Sequence, residues 1–424
     1  MSPSLACDLI VSNASELCIV PPGGGSLGIV PGGTVACHGG RVVWAGPQAS
    51  AQEILAPIPG CLTVDASGRA VTPGLIDPHT HLPSYGVRAR EFQLKLQGAG
   101  YLEILAAGGG ILSTVATMSA ASDATLLSAA QADLDFMLGQ GVTTVEAKSG
   151  YGLTTDAELR LLRLAAEAGS HHPLTVVPTF LGAHAIPPSF KGKPDAYVEV
   201  ILEDMLPAVS RQGIAQFCDV FCEPGVFSVE QSRRILEAGR RHGLRAKLHA
   251  DELAAGGGAE LAAEIGAVSA DHLLFASPTG LAAMALAGTV AVILPITVLA
   301  LLGGEVGVQH CRRQAALMRE SGVRIAIGTD YNPGTAPCRS MQLAMSLASR
   351  IFGLSGAETI LAATAHAAAA LGLAGEVGSL VPGYAADIVI WDAASHEEIP
   401  YRLGDNRADH VFKAGRPVKG RMTT

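Results

Sequence analysis

The middle of the chain shows a repeating hydrophobic pattern. From about residue 70 to about residue 370, short apolar runs rich in β-branched residues alternate with Ala-, Leu- and Glu-rich stretches. Such alternation is typical of parallel strands joined by helices. Eight candidate strands can be read: "GLIDPHTH", "TTVEAKSG", "LTVVPTFLGAH", "CDVFCE", "RAKLHADE", "AVSADHL", "TVAVILPIT" and "VRIAIGTD". They predict an α/β fold, a (β/α)8 TIM-like barrel, with a doubly wound open sheet as the alternative.

The two ends of the chain have a different pattern. Residues 1 to about 70, and again from about 375 onward, form short β-like runs broken by Gly and Pro, and "HGGR" predicts a hairpin turn. We therefore expect one small β-sandwich domain built from both termini. The predicted boundaries are 1–68 for its N-terminal part, 69–370 for the barrel and 371–424 for its C-terminal part.

Composition narrows the class of partner. The chain has 424 residues, of which 49% are hydrophobic and 16% charged, and a net charge of −9. An acidic surface argues against nucleic acid and anionic membranes, so we expect a small-molecule substrate. The segment "GTVAVILPITVLALLGG" is broken by Pro295 and predicts a buried strand leading into a loop. No secretory signal is recognisable and no cysteines form a C-x-x-C pair, so we expect a cytoplasmic protein. We also expect a homodimer.

Polar residues gather at the C-terminal ends of the predicted strands. In a βα barrel this is the face on which catalytic sites are built. Their convergence is the main internal sign of an enzyme. The residues are His79, His81, Lys148, His184, Glu223, His249, His272 and Asp330.

Four of these residues form a candidate metal site. His79 and His81 are two positions apart on one strand, so their side chains point to the same side. Alone, this pair is explained as well by a polar strand end. His249 and Asp330 add a third imidazole and a carboxylate at other strand ends, which makes a ligand set suited to zinc or iron.

Two further residues have the chemistry for proton transfer. Glu252 follows His249 by three residues and is the candidate general base, and His272 is placed to polarise or protonate a substrate. The alternative for His272 is a structural residue bonded to Asp271. Lys148 is either a carboxylated bridging ligand or, as we favour, a substrate-loop or structural lysine.

These motifs resemble the amidohydrolase superfamily. The likeness rests on "TPGLIDPHTH", on the distant His, His and Asp strand ends, and on "GSLVPGYAADIVIWD". The chain is more closely similar to the imidazolonepropionase family, from about residue 70 to the C-terminus. That likeness is carried by "KLQGAGYLEILAAGGGILSTV", "EAKSGYGL", "FLGAHAIPP", "DVFCEPGVF", "LHADEL", "GGAELAAEIGAVSADHL" and "GTDYNPG".

The resemblance implies a function and a site. It implies hydrolysis of the cyclic amide C–N bond of 4-imidazolone-5-propanoate to N-formimidoyl-L-glutamate, in histidine degradation, by water activated by one zinc or iron ion. It implies metal ligation by His79, His81, His249 and Asp330, with Glu252, His272 and Asp330 catalytic. The implied substrate-binding residues are Arg88, Tyr151, His184, Asn332, Gly334 and Thr335.

Some positions depart from the family pattern. Met118, Pro83 and Ile296 stand where other residues are usual, which bears on substrate choice. The choice of Arg88 over Arg90 rests on motif register alone. The alternatives are another mononuclear amidohydrolase, either a cyclic ureide hydrolase or a purine or pyrimidine deaminase, and a non-catalytic barrel that serves as a binding module.

Overall fold

A computed structural model describes residues 4–98, 109–302 and 304–420. Residues 99–108, part of the segment "KLQGAGYLEILAAGGGILSTV", lie outside this description.

Two sheets are present. The strands of the terminal sheet are β1 (Leu5–Cys18), β2 (Ile29–His38), β3 (Arg41–Pro47), β4 (Leu55–Asp65), β5 (Ala70–Pro73), β14 (Ile388–Trp391), β15 (Ala408–Lys413) and β16 (Arg416–Lys419). The strands of the barrel are β6 (Leu75–Asp77), β7 (Val142–Lys148), β8 (Thr175–Ala183), β9 (Phe217–Cys222), β10 (Arg245–Ala250), β11 (Ser269–His272), β12 (Val290–Ile293) and β13 (Ile325–Ile327).

The terminal sheet joins the two ends of the chain, as predicted. Its order is β16-β15-β14-β5-β1-β2-β3, with β4 also paired to β1. The link between the two ends is the antiparallel pair β5–β14. The predicted hairpin joins β2 to β3 through Gly39 and Gly40, which have φ values of 58° and 81°. Two successive positive φ values suit a tight hairpin turn and favour glycine. The domain boundaries stay a prediction.

The barrel strands follow one another in chain order. All seven neighbouring pairs from β6 to β13 are parallel. The gap between the last strand, β13, and the first, β6, is bridged by Asp77. Its carboxylate accepts hydrogen bonds from the Thr329 backbone N–H at 3.0 Å and the Thr329 hydroxyl at 2.6 Å. A parallel bridge between Thr80 and Tyr331 lies just beyond. The (β/α)8 prediction is confirmed, and the doubly wound alternative is wrong.

Helices cover the outside of the barrel. The helix Val229–Arg241 is capped at its N-terminus by Ser228. The side chains of Ser228 and Gln231 form a capping box, as the pattern "SVEQSRRILEAGRRHG" indicates. Among the described residues, no helix combines the length and apolar character needed to span a membrane. The helices are Gln48–Ile54, Ala89–Leu96, Ile111–Ala120, Asp123–Gly139, Thr155–Ser170, Pro194–Val200, Leu206–Gln212, Val229–Arg241, Gly258–Glu264, Pro278–Ala287, Pro295–Leu301, Gly304–Ser321, Met341–Leu347, Gly356–Ala362, Ala365–Ala370 and Glu398–Tyr401, with π-helical turns at Ile201–Met205 and Ala348–Phe352 and a 3-10 turn at Pro188–Phe190.

One prediction of local structure is wrong. The segment after β12 is a short helix, Pro295–Leu301, rather than a loop. Pro295 occupies the first turn, where a missing backbone N–H is tolerated and the fixed φ suits a helix. The proline therefore starts a helix here instead of only ending a strand.

The interior of the barrel contains both apolar and charged side chains. A fully buried layer of charged side chains lies below the C-terminal ends of the strands, and an apolar cluster that includes Val177, Phe217 and Val292 lies on the same inner strand faces. Buried charges of this kind are tolerated only when they are paired. We call this group the inner layer: Glu146, Lys148, Asp219, Lys247 and Asp271.

Candidate active site

The structure brings the four predicted metal ligands together at the mouth of the barrel. His79 Nε2 lies 3.3 Å from Asp330 Oδ1, and His81 Nε2 lies 3.2 Å from the same oxygen. His79 also belongs to a second buried group, with His249 and His272, in which one ligand atom from each residue lies within 4.8 Å of the others. We call these five residues the mouth layer: His79, His81, His249, His272 and Asp330.

The mouth layer has buried polar atoms without hydrogen-bond partners. A buried imidazole nitrogen or carboxylate oxygen normally has a partner, so such a cluster needs an explanation. Nitrogen and oxygen atoms in this arrangement are the donor set that zinc and iron prefer. The mouth layer therefore fits a metal ion. Within the described part of the chain, the unpartnered atoms include His79 Nε2, His249 Nε2, His272 Nε2 and Asp330 Oδ1.

Electrostatics favour the protonation states that a metal needs at most of these positions. Burial lowers the pKa of His249 to about 4, despite the opposing charge of Asp219. Burial also holds the pKa of His272 well below its usual range. His79 is the exception: burial and Lys148 act to lower its pKa, but the neighbouring carboxylates of Asp271 and Asp330 raise it to about 9 without a metal. A cation at this site must displace that proton.

Two of the candidate ligands, His79 and His249, are held from behind by a carboxylate. Asp271 Oδ2 lies 2.6 Å from His79 Nδ1, and Asp219 Oδ1 lies 3.1 Å from His249 Nδ1. A carboxylate accepts there, so each Nδ1 carries the hydrogen and each Nε2 is left to face the mouth layer. The hypothesis that His272 is a structural residue bonded to Asp271 is wrong. The Asp271 carboxylate is hydrogen-bonded instead to His79 Nδ1 and the Ser269 hydroxyl.

Asp330 is oriented by the unexpected helix. The Thr297 hydroxyl, in Pro295–Leu301, donates a hydrogen bond of 2.5 Å to Asp330 Oδ2. The other oxygen, Oδ1, is thereby directed to His79 and His81. Asp330 and His272 both have positive φ values, 54° and 76°, a strained backbone for non-glycine residues. Strain of this kind is concentrated at functional sites.

Lys148 does not point into the mouth. Its Nζ lies 2.7 Å from Asp219 Oδ2, 2.8 Å from Glu146 Oε2 and 3.5 Å from Asp271 Oδ2, with the side chain fully buried. Burial acts to lower the pKa of Lys148, but Asp219, Glu146 and Asp271 outweigh it and raise the pKa. The amine is therefore held as a cation, which does not suit carboxylation.

The predicted acid–base pair is close together. Glu252 Oε1 lies 3.6 Å from His272 Nδ1. Burial, followed by the charges of Asp330 and Glu223, raises the pKa of Glu252 to about 8. Glu223 also accepts a hydrogen bond of 3.0 Å from the Glu252 backbone N–H, which fixes the turn that carries it. A carboxyl group with a pKa near neutrality can both take up and release a proton.

One wall of the cavity is aromatic. His81 and His184 stack with ring centres 4.9 Å apart, and Tyr151 lies 5.3 Å from His184. His184 Nδ1 lies 2.9 Å from the Gly150 carbonyl oxygen and so donates to it. Burial, then His81 and His249, hold the pKa of His184 well below its usual range. His184 is therefore neutral, and its Nε2 is an acceptor.

Arg88 and the loop after β13 form the rim of the cavity. Arg88 lines the cavity and pairs with Glu91 at 2.8 Å, whereas Arg90 is exposed. A Cβ at Gly334 would overlap the Arg88 guanidinium in its present position, so the guanidinium lies directly against the Gly334 backbone. Asn332 Oδ1 accepts hydrogen bonds from the backbone N–H groups of Gly334 at 2.8 Å and Thr335 at 2.9 Å. Asn332 thus shapes the loop, while Thr335 also lines the cavity.

The three residues expected from sequence to bear on substrate choice, Met118, Pro83 and Ile296, are all buried, and none is a candidate ligand. Met118 is buried in the same apolar cluster as Tyr151. Pro83 is buried two residues after His81. Ile296 is buried one residue before Thr297.

Comparisons with known proteins identify the family. The model of the "Amidohydrolase family" matches residues 70–418. The chain is 47% identical to an imidazolonepropionase of Symbiobacterium thermophilum, covering 97% of both chains. It is 47% identical to one of Shouchella clausii, covering 92% of this chain and 86% of that protein. The chain belongs to the amidohydrolase family and, within it, to the imidazolonepropionases.

Solved amidohydrolase-like structures share the fold. An adenosine deaminase from Xanthomonas campestris with bound zinc has a TM-score of 0.69 at 19% identity, covering 99% of this chain and 94% of that one. A mutant atrazine chlorohydrolase from Arthrobacter aurescens, in complex with zinc and atraton, has a TM-score of 0.71 at 16% identity, covering 97% and 95%. At these identities the likeness concerns the fold alone.

Proposed function

We propose that the chain is a metal-dependent imidazolonepropionase that hydrolyses 4-imidazolone-5-propanoate to N-formimidoyl-L-glutamate, the step expected in histidine degradation. One zinc or iron ion is held by His79, His81, His249 and Asp330. The observation that carries the proposal is the cavity itself. Its floor contains the unpartnered mouth-layer atoms and its rim contains Arg88, in a chain that belongs to the imidazolonepropionases.

The rim suits the acidic arm of this substrate. The guanidinium of Arg88 can bind the propanoate carboxylate through two parallel hydrogen bonds, the geometry that arginine favours. Gly334 leaves space for this approach. On the aromatic wall, His184 Nε2 can accept a hydrogen bond from an N–H group of the substrate ring. The Tyr151 hydroxyl can make a further polar contact with the substrate.

The floor suits hydrolysis of the ring amide. A bound zinc or iron ion supplies Lewis-acid activation of the hydrolytic water. Glu252 accepts the proton that this water loses as its oxygen adds to the ring carbonyl carbon, and delivers it to the ring nitrogen as the C–N bond breaks. His272, 3.6 Å from Glu252, and Asp330 assist by polarising the carbonyl or guiding this proton.

The test is a spectroscopic assay of the purified protein. We expect the ultraviolet absorbance of imidazolonepropanoate to fall with the protein, to stop falling after chelation, and to resume when zinc or iron is restored. The product should be formimidoylglutamate. Direct release of ammonia from a purine or pyrimidine would instead support a deaminase, and absence of bound metal after purification with added metal would support a binding module.

Two expectations about the whole molecule stay predictions. The homodimer would be tested by light scattering coupled to size-exclusion chromatography, with a monomer mass contradicting it. The cytoplasmic location would be tested by cell fractionation.

A further inference from the structure

The inner layer contains a lysine that the proposed chemistry does not use. Lys148 comes from β7, and its Nζ contacts Asp219 on β9 at 2.7 Å and Asp271 on β11 at 3.5 Å. All three side chains are fully buried. One cation therefore joins two carboxylates that come from different barrel strands.

Both of these carboxylates orient a candidate metal ligand. Asp219 uses Oδ1 for His249 and Oδ2 for Lys148, so its two oxygens are divided between ligand and lysine. Asp271 Oδ2 accepts from His79 Nδ1 at 2.6 Å, and its Oδ1 accepts from the Ser269 hydroxyl at 2.7 Å. Without the lysine, Asp219 Oδ2 would lose its hydrogen-bond donor in a buried position, where an unpaired charge is strongly unfavourable.

We infer that Lys148 is a positioning residue of the metal centre, which fixes Asp219 and Asp271 so that His249 and His79 both present Nε2 to the ion. This inference rests on the proposed metal site. Partners behind metal ligands fix the ring orientation and tautomer, and their loss typically weakens metal binding by about 10- to 100-fold. One lysine that serves two histidines is expected to reach the upper part of that range.

The chain offers a matched control in Lys247. This lysine belongs to the same inner layer, is fully buried and lies 3.0 Å from Glu146 Oε1. Its other close contacts are the backbone carbonyl oxygens of Pro78 at 3.1 Å and Ala370 at 3.4 Å. Lys247 also acts on Asp271 through its charge, more strongly than Lys148 does. Loss of a buried cation near Asp271 is therefore shared by both lysines, whereas the direct hydrogen bond to Asp219 belongs to Lys148.

The experiment compares the metal affinity of intact proteins. The zinc dissociation constant of the full chain is measured by competition with a chromophoric chelator for the wild type, Lys148→Met and Lys247→Met. We expect Lys148→Met to raise the constant by about 10- to 100-fold and Lys247→Met to change it far less. A second readout is the ¹⁵N chemical shift of the His79 and His249 ring nitrogens in the zinc-loaded protein, which reports tautomer.

A further variant guards against a failure to fold. Lys148→Met with Asp219→Asn removes cation and carboxylate together, which is far less unfavourable than leaving one charge buried alone. It should fold, as judged by circular dichroism, which would show that any misfolding of Lys148→Met comes from the uncompensated Asp219 charge. Its zinc affinity is not compared, because Asp219 itself orients His249.

The outcomes separate the two proposals. If the wild type binds no metal, the proposed metal site is wrong. If the wild type binds zinc, three results would overturn the inference about Lys148: unchanged affinity and histidine shifts in Lys148→Met, equal weakening in Lys247→Met, or loss of folding in both Lys148 variants.

Discussion

The mouth layer and the inner layer are adjacent in one barrel, yet their polar groups are satisfied in opposite ways. The mouth layer contains buried nitrogen and oxygen atoms that lack partners in the described part of the molecule. In the inner layer the charged groups lie beside opposite charges or backbone carbonyls, as Lys148 and Lys247 do around Glu146, although Glu146 Oε2 makes no hydrogen bond of its own. Both layers are buried, so exposure does not explain the difference.

The contrast distinguishes residues that can bind a ligand from residues that hold those binding residues in place. Buried groups left without partners are unfavourable unless a ligand completes them, whereas a paired network holds its members in one geometry. The electrostatics do not divide in the same way. Burial lowers the pKa of His249 and His272, whereas nearby carboxylates raise the pKa of His79 in the same layer. The charges of His249 and Lys148 outweigh burial and hold the pKa of Asp219 well below its usual range. By their hydrogen bonding, the inner layer is the support, and the mouth layer is the place where a ligand acts.

The largest effect is expected from removing a mouth-layer ligand. Asp330→Ala should lose bound metal and at least about 10⁴-fold in kcat/KM, because metal stabilisation is worth several kcal/mol and about 1.4 kcal/mol is a factor of ten. Metal content and rate are measured together. Asp135→Ala, at a side chain that is 77% exposed, is the control and should change neither. Retention of metal and rate by Asp330→Ala would exclude it as a ligand.

The next effect separates proton transfer from metal binding. Glu252→Gln should lower kcat by about 10²- to 10⁴-fold with the metal retained, because the amide cannot accept the proton. Steady-state kinetics and metal analysis of the same sample test this. Glu230→Gln, on an outer helix and 75% exposed, should behave as the wild type. Near-normal turnover of Glu252→Gln would remove it from the mechanism.

A smaller effect is expected at the rim. Arg88→Met should raise KM for imidazolonepropanoate by about 10- to 150-fold, since a hydrogen bond to a charged group is worth roughly 1.5–3 kcal/mol. Arg90→Met is the matched control, and Arg90 is exposed. With an analogue that lacks the carboxylate, the Arg88 variant and the wild type should have similar kinetics. An equal loss with both substrates would mean that Arg88 acts in another way.

The smallest effect concerns pH and the metal-free protein. The folded pKa of Glu252 is raised from 4.5 to about 8, so the folded state holds a proton that the unfolded chain releases. Its contribution to stability is therefore complete below the unfolded pKa and is lost as pH rises through the folded one. After chelation, the melting temperature of the wild type should fall between pH 4.5 and about pH 8 more steeply than that of Glu252→Gln. Identical slopes would show that Glu252 is not buried as an acid.

The barrel and the mouth layer could be predicted because their signals are local. Each strand is an apolar run that ends in a polar residue, and the strand ends of a barrel meet at one face, so "DPHTH" and "GTDYNPG" could be placed together from sequence. The inner layer could not be assembled in this way. Asp271 meets His79 across 192 residues, and nothing near "SADH" specifies that partner. A charged residue inside an otherwise apolar strand, as in "CDVFC", was the available signal.

The helix Pro295–Leu301 shows a second limit of local reading. The sequence pattern predicts that a strand ends at Pro295 and a loop follows, although proline is also favoured in a first helical turn. This difference affects the candidate active site, because the Thr297 hydroxyl on this helix donates a hydrogen bond to Asp330. A hydroxyl in an apolar segment gave no sign of that contact before the fold was known.

The β5–β14 pair has a consequence for synthesis on the ribosome. Pro73 pairs with Ile388, about 315 residues later in the chain. At about 5–20 residues per second, roughly 15 to 60 s separate the appearance of these two strands. During that time β1 can already pair with β2, β4 and β5, because all four are made early. The nascent chain thus has an open strand edge at β5, the kind of edge that attracts other chains, until its last tenth is translated.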